Sequence, residues 1–203
     1  MAVIERTRTG DLDLRVVEPT DGPDVLARVL AEVPDVVVVS IQPGPVHPLQ
    51  LCREVADRAP VSRVLVAAAP AEAAHSYQAL RVGAVGCLDP QAGPAELHDA
   101  AEAVARGEAV LPARHAAWVL RELDDGVSPA AGSPPTADRL TASERTVLRL
   151  LAEGAPVDGI ADHLGGSPRV VGRHAGSAVA RLHRRYRRPN PGTGQASPAY
   201  TSR

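Results

Sequence analysis

Short apolar strands alternate with amphipathic helices over the first half of this chain, and this alternation restricts the fold more than any other feature. The strand-like runs are residues 12–17, 35–39, 63–67 and 85–88, and the helical patterns are residues 23–33, 49–59, 71–82 and 94–106. The runs at 35–39 and 63–67 are almost entirely apolar, which is typical of strands covered on both faces of a parallel sheet. The order strand, helix, strand, helix therefore predicts an α/β fold with a doubly wound parallel sheet. A fifth helix, residues 112–123, is expected to lead out of this domain.

The charge is divided unevenly along the chain. Residues 1–138 hold 11 arginines and 20 acidic residues, a net charge of −9, whereas residues 139–203 hold 11 arginines and 4 acidic residues, a net charge of +7. Two stretches are rich in Pro, Gly and Ser and lack periodic apolar residues. One lies between the acidic and the basic parts, and the other follows the basic part. The predicted organisation is an acidic domain (residues 1–123), a flexible linker (124–138), a basic domain (139–188) and a disordered tail (189–203).

The composition excludes several classes of protein. With 203 residues, of which 44% are hydrophobic and 23% charged, the chain can form a globular core. We expect a cytoplasmic protein without membrane association, because no apolar run reaches the roughly eighteen residues of a membrane span and the first residues lack the apolar segment of a signal peptide. Cys52 and Cys87 lie in apolar runs without CxxC spacing and are expected to be buried reduced thiols. Seven scattered histidines without paired ligands predict no metal and no cofactor.

The acidic domain resembles the receiver domain of bacterial response regulators over about residues 12–107. The resemblance is carried by the successive segments PDVVVVS, LQLCREV, APVSRVLVAAA, ALRVGAVGCLDP and AELHDAAEAVARG. It implies a truncated receiver-like sheet, because the segment LDLRVV matches the second strand of the family. The first strand and helix are then missing or reduced to residues 2–7. Since all 22 basic residues are arginine, we expect a GC-rich bacterial source, and the resemblance favours an actinobacterium.

The same resemblance implies that the phosphorylation chemistry of the receiver family is lost. In that family a strand-end carboxylate accepts the phosphoryl group beside Mg²⁺, a threonine and a lysine. The matching positions are Ser40, Ala68 and Pro90, each of which lacks the required functional group. We therefore predict a degenerate phosphorylation site.

An enzymatic function finds little support in the remaining residues. A catalytic Ser40 needs a general base or a metal beside it, and the adjacent segment SIQPGPVHP supplies only His47. Glu18 is a single carboxylate, which is too few ligands for a Mg²⁺ site. The chain is predicted not to be an enzyme, with residual phosphotransfer to Ser40 as a weaker alternative.

The basic domain has the pattern of three short helices. Thr141 or Ser143 can cap a first helix that ends near Gly154, and a second short helix covers Ile160 to Leu164. After a Gly-Gly turn, Ser167 is expected to cap a third helix. Its predicted inner face is apolar and consists of Val170, Val171, Ala175, Ala178, Val179 and Leu182. A glycine turn before the last of three short helices is typical of a helix-turn-helix domain.

The segments LTASERTVLRLLAEG, IADHL and SPRVVGRH closely resemble the LuxR/GerE-type DNA-binding domain, over some 43 residues. The resemblance implies that the third helix enters the major groove of double-stranded DNA, where arginine can read guanine. Arg169 and Arg173, four residues apart, are the candidates for base-edge or phosphate contacts. The other predicted DNA-binding residues, mainly for phosphate contacts, are Ser167, His174, Arg181, Arg184 and Arg185, and the basic run continues with Arg187 and Arg188. A solvated charged helix end is the alternative interpretation of the arginine run.

The basic domain departs from the LuxR/GerE pattern in two places. Gly172 and Gly176 occupy positions where members of the family commonly place long basic side chains toward DNA, so base readout is expected to be weak or unusual. Each glycine inside a helix also costs roughly 1 kcal/mol relative to alanine. After Leu182 the segment HRRYRRPNPG replaces the fourth helix that commonly supports dimerisation. A homodimer then depends on the N-terminal domain or on DNA.

The sequence is identified as a member of the atypical response regulators of the NarL/FixJ type. We predict a DNA-binding transcriptional regulator that works without phosphorylation. Its control is assigned either to a small-molecule effector or to pairing of the receiver-like domain. The alternative is a non-enzymatic interaction protein that binds another regulator and no longer reads DNA sequence.

Overall fold

The N-terminal half of the chain forms a five-stranded sheet. The computed structural model describes residues 2–8, 11–17, 22–41, 47–125 and 139–187. The strands are β1 (Ala2–Arg8), β2 (Asp11–Val17), β3 (Val36–Ser40), β4 (Arg63–Ala67) and β5 (Ala84–Leu88), in the order β2-β1-β3-β4-β5. Strands β3, β4 and β5 are parallel to one another, as the sequence predicts.

Strand β1 departs from the parallel arrangement. It pairs antiparallel with both β2 and β3, in the registers Ala2 with Val17 and Ala2 with Val39. Only two residues separate β1 from β2, and a connection that short can join antiparallel neighbours but not parallel ones, which need a crossover of a dozen residues or more. The segment that we expected to be missing or reduced is therefore a full strand, and the two residues between it and β2 are too few to form a helix.

Eight α-helices complete the described chain. They are α1 (Gly22–Glu32), α2 (Pro48–Arg58), α3 (Ala73–Val82), α4 (Pro94–Ala105), α5 (Ala113–Asp125), α6 (Ala142–Ala152), α7 (Val157–His163) and α8 (Pro168–Arg187). A short 3₁₀ turn, Pro70–Glu72, precedes α3. These helices confirm the α/β fold class with an additional all-helical domain.

The central strands are buried on both faces because alternate side chains pack against helices on opposite sides. Val37 and Val39 belong to the core with α1, α2 and α3, whereas Val36 and Val38 pack with Leu65 and α4. This arrangement explains why these strands are apolar at nearly every position, with Ser40 and the exposed Arg63 as the exceptions. It also confirms the prediction of a sheet with helices above and below it.

The boundaries between the predicted domains are only partly described. Helix α5 continues to Asp125, two residues into the predicted linker 124–138. The rest of that linker and the predicted tail 189–203 lie outside the described residues.

Cys52 and Cys87 are buried and form no disulfide, and burial raises the pKa of each thiol to about 12. In the described ranges, no helix is long and apolar enough to span a membrane.

Candidate nucleic-acid interface

The first helix of the basic domain begins at a capping box. The Thr141 hydroxyl accepts a bond of 3.2 Å from the Glu144 amide, and the Glu144 carboxylate accepts one of 2.7 Å from the Thr141 amide. Thr141 is therefore the cap, rather than Ser143. Two backbone donors that the helix leaves free are satisfied in this way, which fixes the start of α6.

Two glycines in left-handed conformations end the first two helices. Gly154 follows α6 with a φ angle of 80°, and Gly165 follows α7 with a φ angle of 63°. Residues with a Cβ atom rarely adopt this conformation, so glycine is favoured at both stops. Both turns fall where the sequence predicts them.

The inner face of α8 packs on α6 and α7. Its fully buried residues are Val171, Ala175, Ala178, Val179 and Leu182, all of them predicted. Val147, Leu148 and Ile160 bury against this face from the other two helices. This small core holds α8 at a fixed angle, so its outer side chains have defined directions.

Three of the predicted DNA-binding arginines point outward from α8. Arg169, Arg173 and Arg184 are exposed, and none has an ion-pair partner among the described residues. Residues four or eleven positions apart return to nearly the same side of an α-helix. The three guanidinium groups therefore lie along one face, with the exposed Ser167 just before the helix.

Two further predicted arginines are engaged inside the molecule. Arg181 donates to Glu144 at 2.9 and 3.1 Å, and the two side chains are only 16% and 3% exposed. Burial alone would raise the pKa of Glu144, but bonds from Ser177, the Thr141 amide and Arg181 outweigh it and lower that pKa. Arg185 donates to the carbonyl oxygen of Glu122 in α5. His174, another predicted DNA-binding residue, is half-buried.

The side of α8 that carries Gly172 and Gly176 faces the receiver-like domain. The Ala109 amide donates to the Gly172 carbonyl at 3.0 Å, which joins the two domains through their backbones. We call residues 107–109, which follow α4, the docking loop. The sequence analysis did not predict this contact. Two glycines four residues apart in an amphipathic helix are the sequence feature that could have indicated it.

A polar and aromatic cluster holds the other end of α8. Arg81 of α3 donates to Glu122 at 3.0 Å and lies 5.2 Å from the centre of the Trp118 ring and 4.8 Å from that of Tyr186. Tyr186 also donates to the Glu122 carboxylate. Burial would raise the pKa of Glu122, but the bonds from Tyr186 and Arg81 lower it.

Two more side chains at the end of α8 reach the receiver-like domain. His183 lies 3.0 Å from the Ala84 carbonyl, and Arg187 donates to the Ala56 carbonyl at 3.1 Å. Arg187 also pairs with Asp57 at 3.3 Å, although both side chains are more than half exposed. The two domains thus meet along most of the length of α8.

The three positions of the predicted degenerate phosphorylation site lie at one edge of the sheet. Ser40 ends β3 and is half-buried, Ala68 follows β4 and is buried, and Pro90 follows β5 and is exposed. The carboxyl ends of these parallel strands share that edge. The Arg114 guanidinium lies 3.5 Å from the Ala68 carbonyl. Within the described parts of the chain, no three His, Cys, Asp or Glu side chains are placed to hold a metal ion.

Comparison with known proteins identifies relatives of both parts. Residues 138–188 match the family described as bacterial regulatory proteins, luxR family. The DNA-binding transcriptional activator DevR/DosR of Mycobacterium tuberculosis is 30% identical over 159 residues, which cover 78% of this chain and 71% of that protein. The uncharacterized transcriptional regulatory protein YxjL of Bacillus subtilis is 27% identical over 157 residues, 77% of this chain and 72% of the relative.

A solved structure of the response regulator RcsB from Salmonella typhimurium also aligns with the chain. It is 23% identical and has a TM-score of 0.40, and the alignment covers 80% of this chain and 76% of that one.

Proposed function

Because the chain belongs to the LuxR family of bacterial transcriptional regulators, we propose that it binds double-stranded DNA through α8. The observation that carries this proposal is the exposed pair Arg169 and Arg173 at the start of a helix held by a buried three-helix core. Arginine can donate two hydrogen bonds to the major-groove edge of guanine. We assign Arg169 and Arg173 to base edges on this ground.

Arg184 is assigned to phosphate contacts. It lies on the same face as Arg169 and Arg173 but some three helical turns away, where a helix end approaches the DNA backbone rather than the base edges. Phosphate contacts add affinity without sequence information. Ser167, His174, Arg181 and Arg185 remain further candidates, and Arg181 and Arg185 must first leave the partners that they have in this structure.

We further propose that the receiver-like domain regulates DNA binding without phosphorylation. Support comes from the residue types at the carboxyl edge of the sheet, where Ser40 replaces the acceptor carboxylate and neither Ala68 nor Pro90 stabilises a phosphoryl group. Control then comes from a small-molecule effector or from pairing of two receiver-like domains. Incubation with radiolabelled acetyl phosphate, with Ser40→Ala as the control, tests this point, and Ser40-dependent labelling would contradict it.

Recovery of genomic DNA with the tagged protein tests sequence-specific binding. One enriched fragment and one scrambled control are then titrated over a series of salt concentrations. We expect discrete genomic sites and much weaker binding of the control. Diffuse recovery, with equal and strongly salt-dependent binding of both fragments, would contradict base readout.

Single substitutions separate the two kinds of contact. Arg169→Ala and Arg173→Ala should each cost about 1 to 3 kcal/mol of binding to the specific fragment and much less to the scrambled one. Arg184→Ala should weaken both fragments alike. Unchanged specific affinity in both Arg169→Ala and Arg173→Ala would show that another face of the domain reads DNA.

A non-enzymatic interaction protein is the second candidate function. Glycine at positions 172 and 176 favours it, because these residues offer no side chain to a base. A stable complex with another regulator, recovered without enrichment of DNA, would support this candidate over the first.

A further inference from the structure

The five-stranded sheet ends in one strand that is paired on one side only. At the β5 edge, the Cys87 amide donates at 2.9 Å to the carbonyl oxygen of Val110, the residue after the docking loop. At the other end β2 is the outermost strand, and among the described strands it pairs with β1 alone. An outermost strand presents a row of backbone donors and acceptors to which another strand can add. The β2 edge is therefore open to a partner strand.

The register of the β1–β2 pair determines which residues of β2 turn their backbone groups outward. Two residues join the strands, and the residues that flank a loop of this length, Arg8 and Asp11, exchange hydrogen bonds. Hydrogen-bonded and non-hydrogen-bonded pairs alternate along an antiparallel ladder. Leu12, Leu14 and Val16 consequently stand in non-hydrogen-bonded pairs with β1, and their backbone groups face the open edge.

The sequence of β2 is complementary to itself when two copies run antiparallel. In the register that pairs Leu14 with the partner's Leu14, Asp13 stands opposite the partner's Arg15. The two-fold axis repeats this pair of opposite charges on its other side. Opposite charges that face each other across two strands stabilise the pairing. Every residue from 11 to 17 has a partner in this register.

The other two-fold registers bring like charges together or shorten the ladder. A register centred on Leu12 places Asp11 opposite the partner's Asp13. A register centred on Asp13 or on Arg15 places that residue opposite itself, and like charges directly opposite each other are destabilising. A register centred on Val16 pairs only residues 15–17 of the strand. The Leu14 register therefore combines opposite charges with the full length of β2.

The apolar residues of β2 fall on one face of the sheet. Val16 and Val38 both pair with Val3, so Leu12, Leu14 and Val16 share the face of Val38. Helix α4 packs on this face at β3, β4 and β5, and the two-residue connection between β1 and β2 supplies no further helix for it. Two copies joined at β2 bring these apolar positions side by side, which favours association in water.

We infer that the β2 edge is a pairing surface for a second copy of this chain, and that the two sheets join there into one. Leu12, Leu14 and Val16 of the two copies supply about six backbone hydrogen bonds between them, two for each hydrogen-bonded pair. The inference rests on the proposed function only for its regulatory half, in which pairing controls DNA binding. The pairing itself is measured without DNA.

Cysteine crosslinking in the full-length chain tests the register. The two copies of position 14 face each other with about 5.5 Å between Cα atoms, which suits a disulfide. The two copies of position 12 are offset by about 13 Å along the strand, which is too far for one. Under mild oxidation Leu14→Cys should form a covalent dimer, with a yield about tenfold or more above that of the control Leu12→Cys. The native Cys52 and Cys87 are buried and do not compete.

A mixture of two cysteine variants checks the same register independently. Leu12→Cys and Val16→Cys should each crosslink poorly alone and well together, since positions 12 and 16 of the two copies face each other. Equal homodimer yields from Leu12→Cys and Leu14→Cys, or no crosslinking by any variant, would overturn the inference.

Charge reversal tests the pairing of Asp13 with the partner's Arg15. Asp13→Arg and Arg15→Asp each place like charges opposite each other in a homodimer, so each should raise the dimer dissociation constant by about tenfold or more in sedimentation equilibrium. An equimolar mixture of the two variants should form a heterodimer, because opposite charges face each other again. Asp11→Arg is the matched control, because Asp11 and Asp13 both lie opposite an arginine of β1, whereas Asp11 faces Val17 in the dimer. A monomeric wild type, or equal dissociation constants for Asp11→Arg and Asp13→Arg, would overturn the pairing surface.

DNA affinity tests the regulatory half. Pairing holds two DNA-binding domains together, which raises the affinity for a fragment that both can reach. Asp13→Arg should bind a recovered genomic fragment about tenfold more weakly than Asp11→Arg, which has the same net charge, and addition of Arg15→Asp should restore the affinity. Equal affinities of Asp13→Arg and Asp11→Arg would overturn control by pairing. Dimers in the Leu14 register with no DNA binding by any variant would overturn the proposed function and leave the pairing surface intact.

Discussion

At the scale of single residues, Val33 has a conformation that its side chain disfavours. Among the described residues it is the non-glycine residue with a positive φ angle, 45°, and its side chain is 53% exposed. Its amide still donates to the Val29 carbonyl, so it ends α1 where glycine is usually found. The left-handed conformation costs an L-residue roughly 1 to 2 kcal/mol, and a branched Cβ makes it less favourable still.

Val33→Gly should therefore raise the free energy of unfolding. Glycine removes the cost of the left-handed conformation, about 1 to 2 kcal/mol. It also makes the unfolded chain more flexible, which costs about 0.5 to 1 kcal/mol. The expected net gain in the free energy of unfolding is about 0.5 to 1 kcal/mol. Chemical denaturation measures it. Val33→Ala removes only the part of the cost that comes from the branched Cβ and should show a smaller gain, so equal stabilisation by both substitutions would contradict the explanation.

His115 is a second residue whose environment has a measurable consequence. It is fully buried between α3 and α5, where its Nε2 atom lies 2.7 Å from the Ser76 hydroxyl. Burial first, and the charge of Arg114 second, lower its pKa from 6.5 to about 4. The neutral ring is therefore the form that the folded protein contains at neutral pH.

This pKa predicts a stability loss on mild acidification. The unfolded chain binds a proton at His115 below pH 6.5 and the folded chain only near pH 4, so stability is complete above 6.5 and falls between these values. The shift corresponds to about 3 kcal/mol. Denaturation curves from pH 7 to pH 4.5 should show a larger loss in the wild type and in the control His98→Gln than in His115→Gln, which keeps only the loss from His183, whose pKa is also lowered by burial. An identical pH dependence in all three proteins would refute the assignment.

At the scale of elements, Glu144 links two helices of the DNA-binding domain. Its carboxylate closes the capping box of α6 and accepts from Arg181 of α8, and it is almost fully buried. Its lowered pKa means that this stabilisation is present above the ordinary pKa of glutamate and is lost as pH falls through the lower folded value.

Glu144→Gln should destabilise the basic domain by about 2 to 4 kcal/mol, because it removes the charge of a buried carboxylate that accepts hydrogen bonds from Arg181 and from the Thr141 amide. Glu153→Gln, at the exposed end of the same helix, should change the free energy of unfolding by less than about 0.5 kcal/mol. Thermal denaturation at neutral pH compares the two. Equal melting temperatures of the two variants would mean that the charge of the Glu144 carboxylate contributes little to the stability of the domain.

At the scale of the whole molecule, the Glu122 carboxylate is one of the charged groups that join the two domains. It accepts from Arg81 and from Tyr186, and its backbone carbonyl accepts from Arg185. Two of these three donors lie in the last turn of α8, and Arg81 lies in α3. Loss of the carboxylate charge therefore acts on the contact between domains rather than on either core.

Glu122→Gln should weaken the contact between the two domains by about 1 to 2 kcal/mol at neutral pH, since bonds to a charged acceptor are stronger than those to an amide. Small-angle scattering should show a larger radius of gyration for Glu122→Gln than for Glu96→Gln, an exposed substitution on α4. The free energy of unfolding of β3 and β4 should be nearly unchanged. Equal radii for the two variants would contradict the role of Glu122.

Local pattern was sufficient for most of the elements. The apolar runs at β3 and β4, the stops at Gly154 and Gly165 and the inner face of α8 follow from backbone and burial preferences that act over a few residues. The direction of β1 was missed, because residues 2–7 were interpreted through the receiver family and not through their distance to β2. That distance, two residues, already requires an antiparallel pair.

The sequence by itself determined an α/β domain and a helix-turn-helix domain, because each depends on residue types at short spacing. Only the tertiary structure decided which surfaces the two domains share. In the sequence, Gly172 and Gly176 are two residues that disfavour a helix, whereas in the structure they allow Gly107 and Glu108 to lie directly against α8. The contact joins residues more than sixty positions apart, and no local preference encodes such a distance.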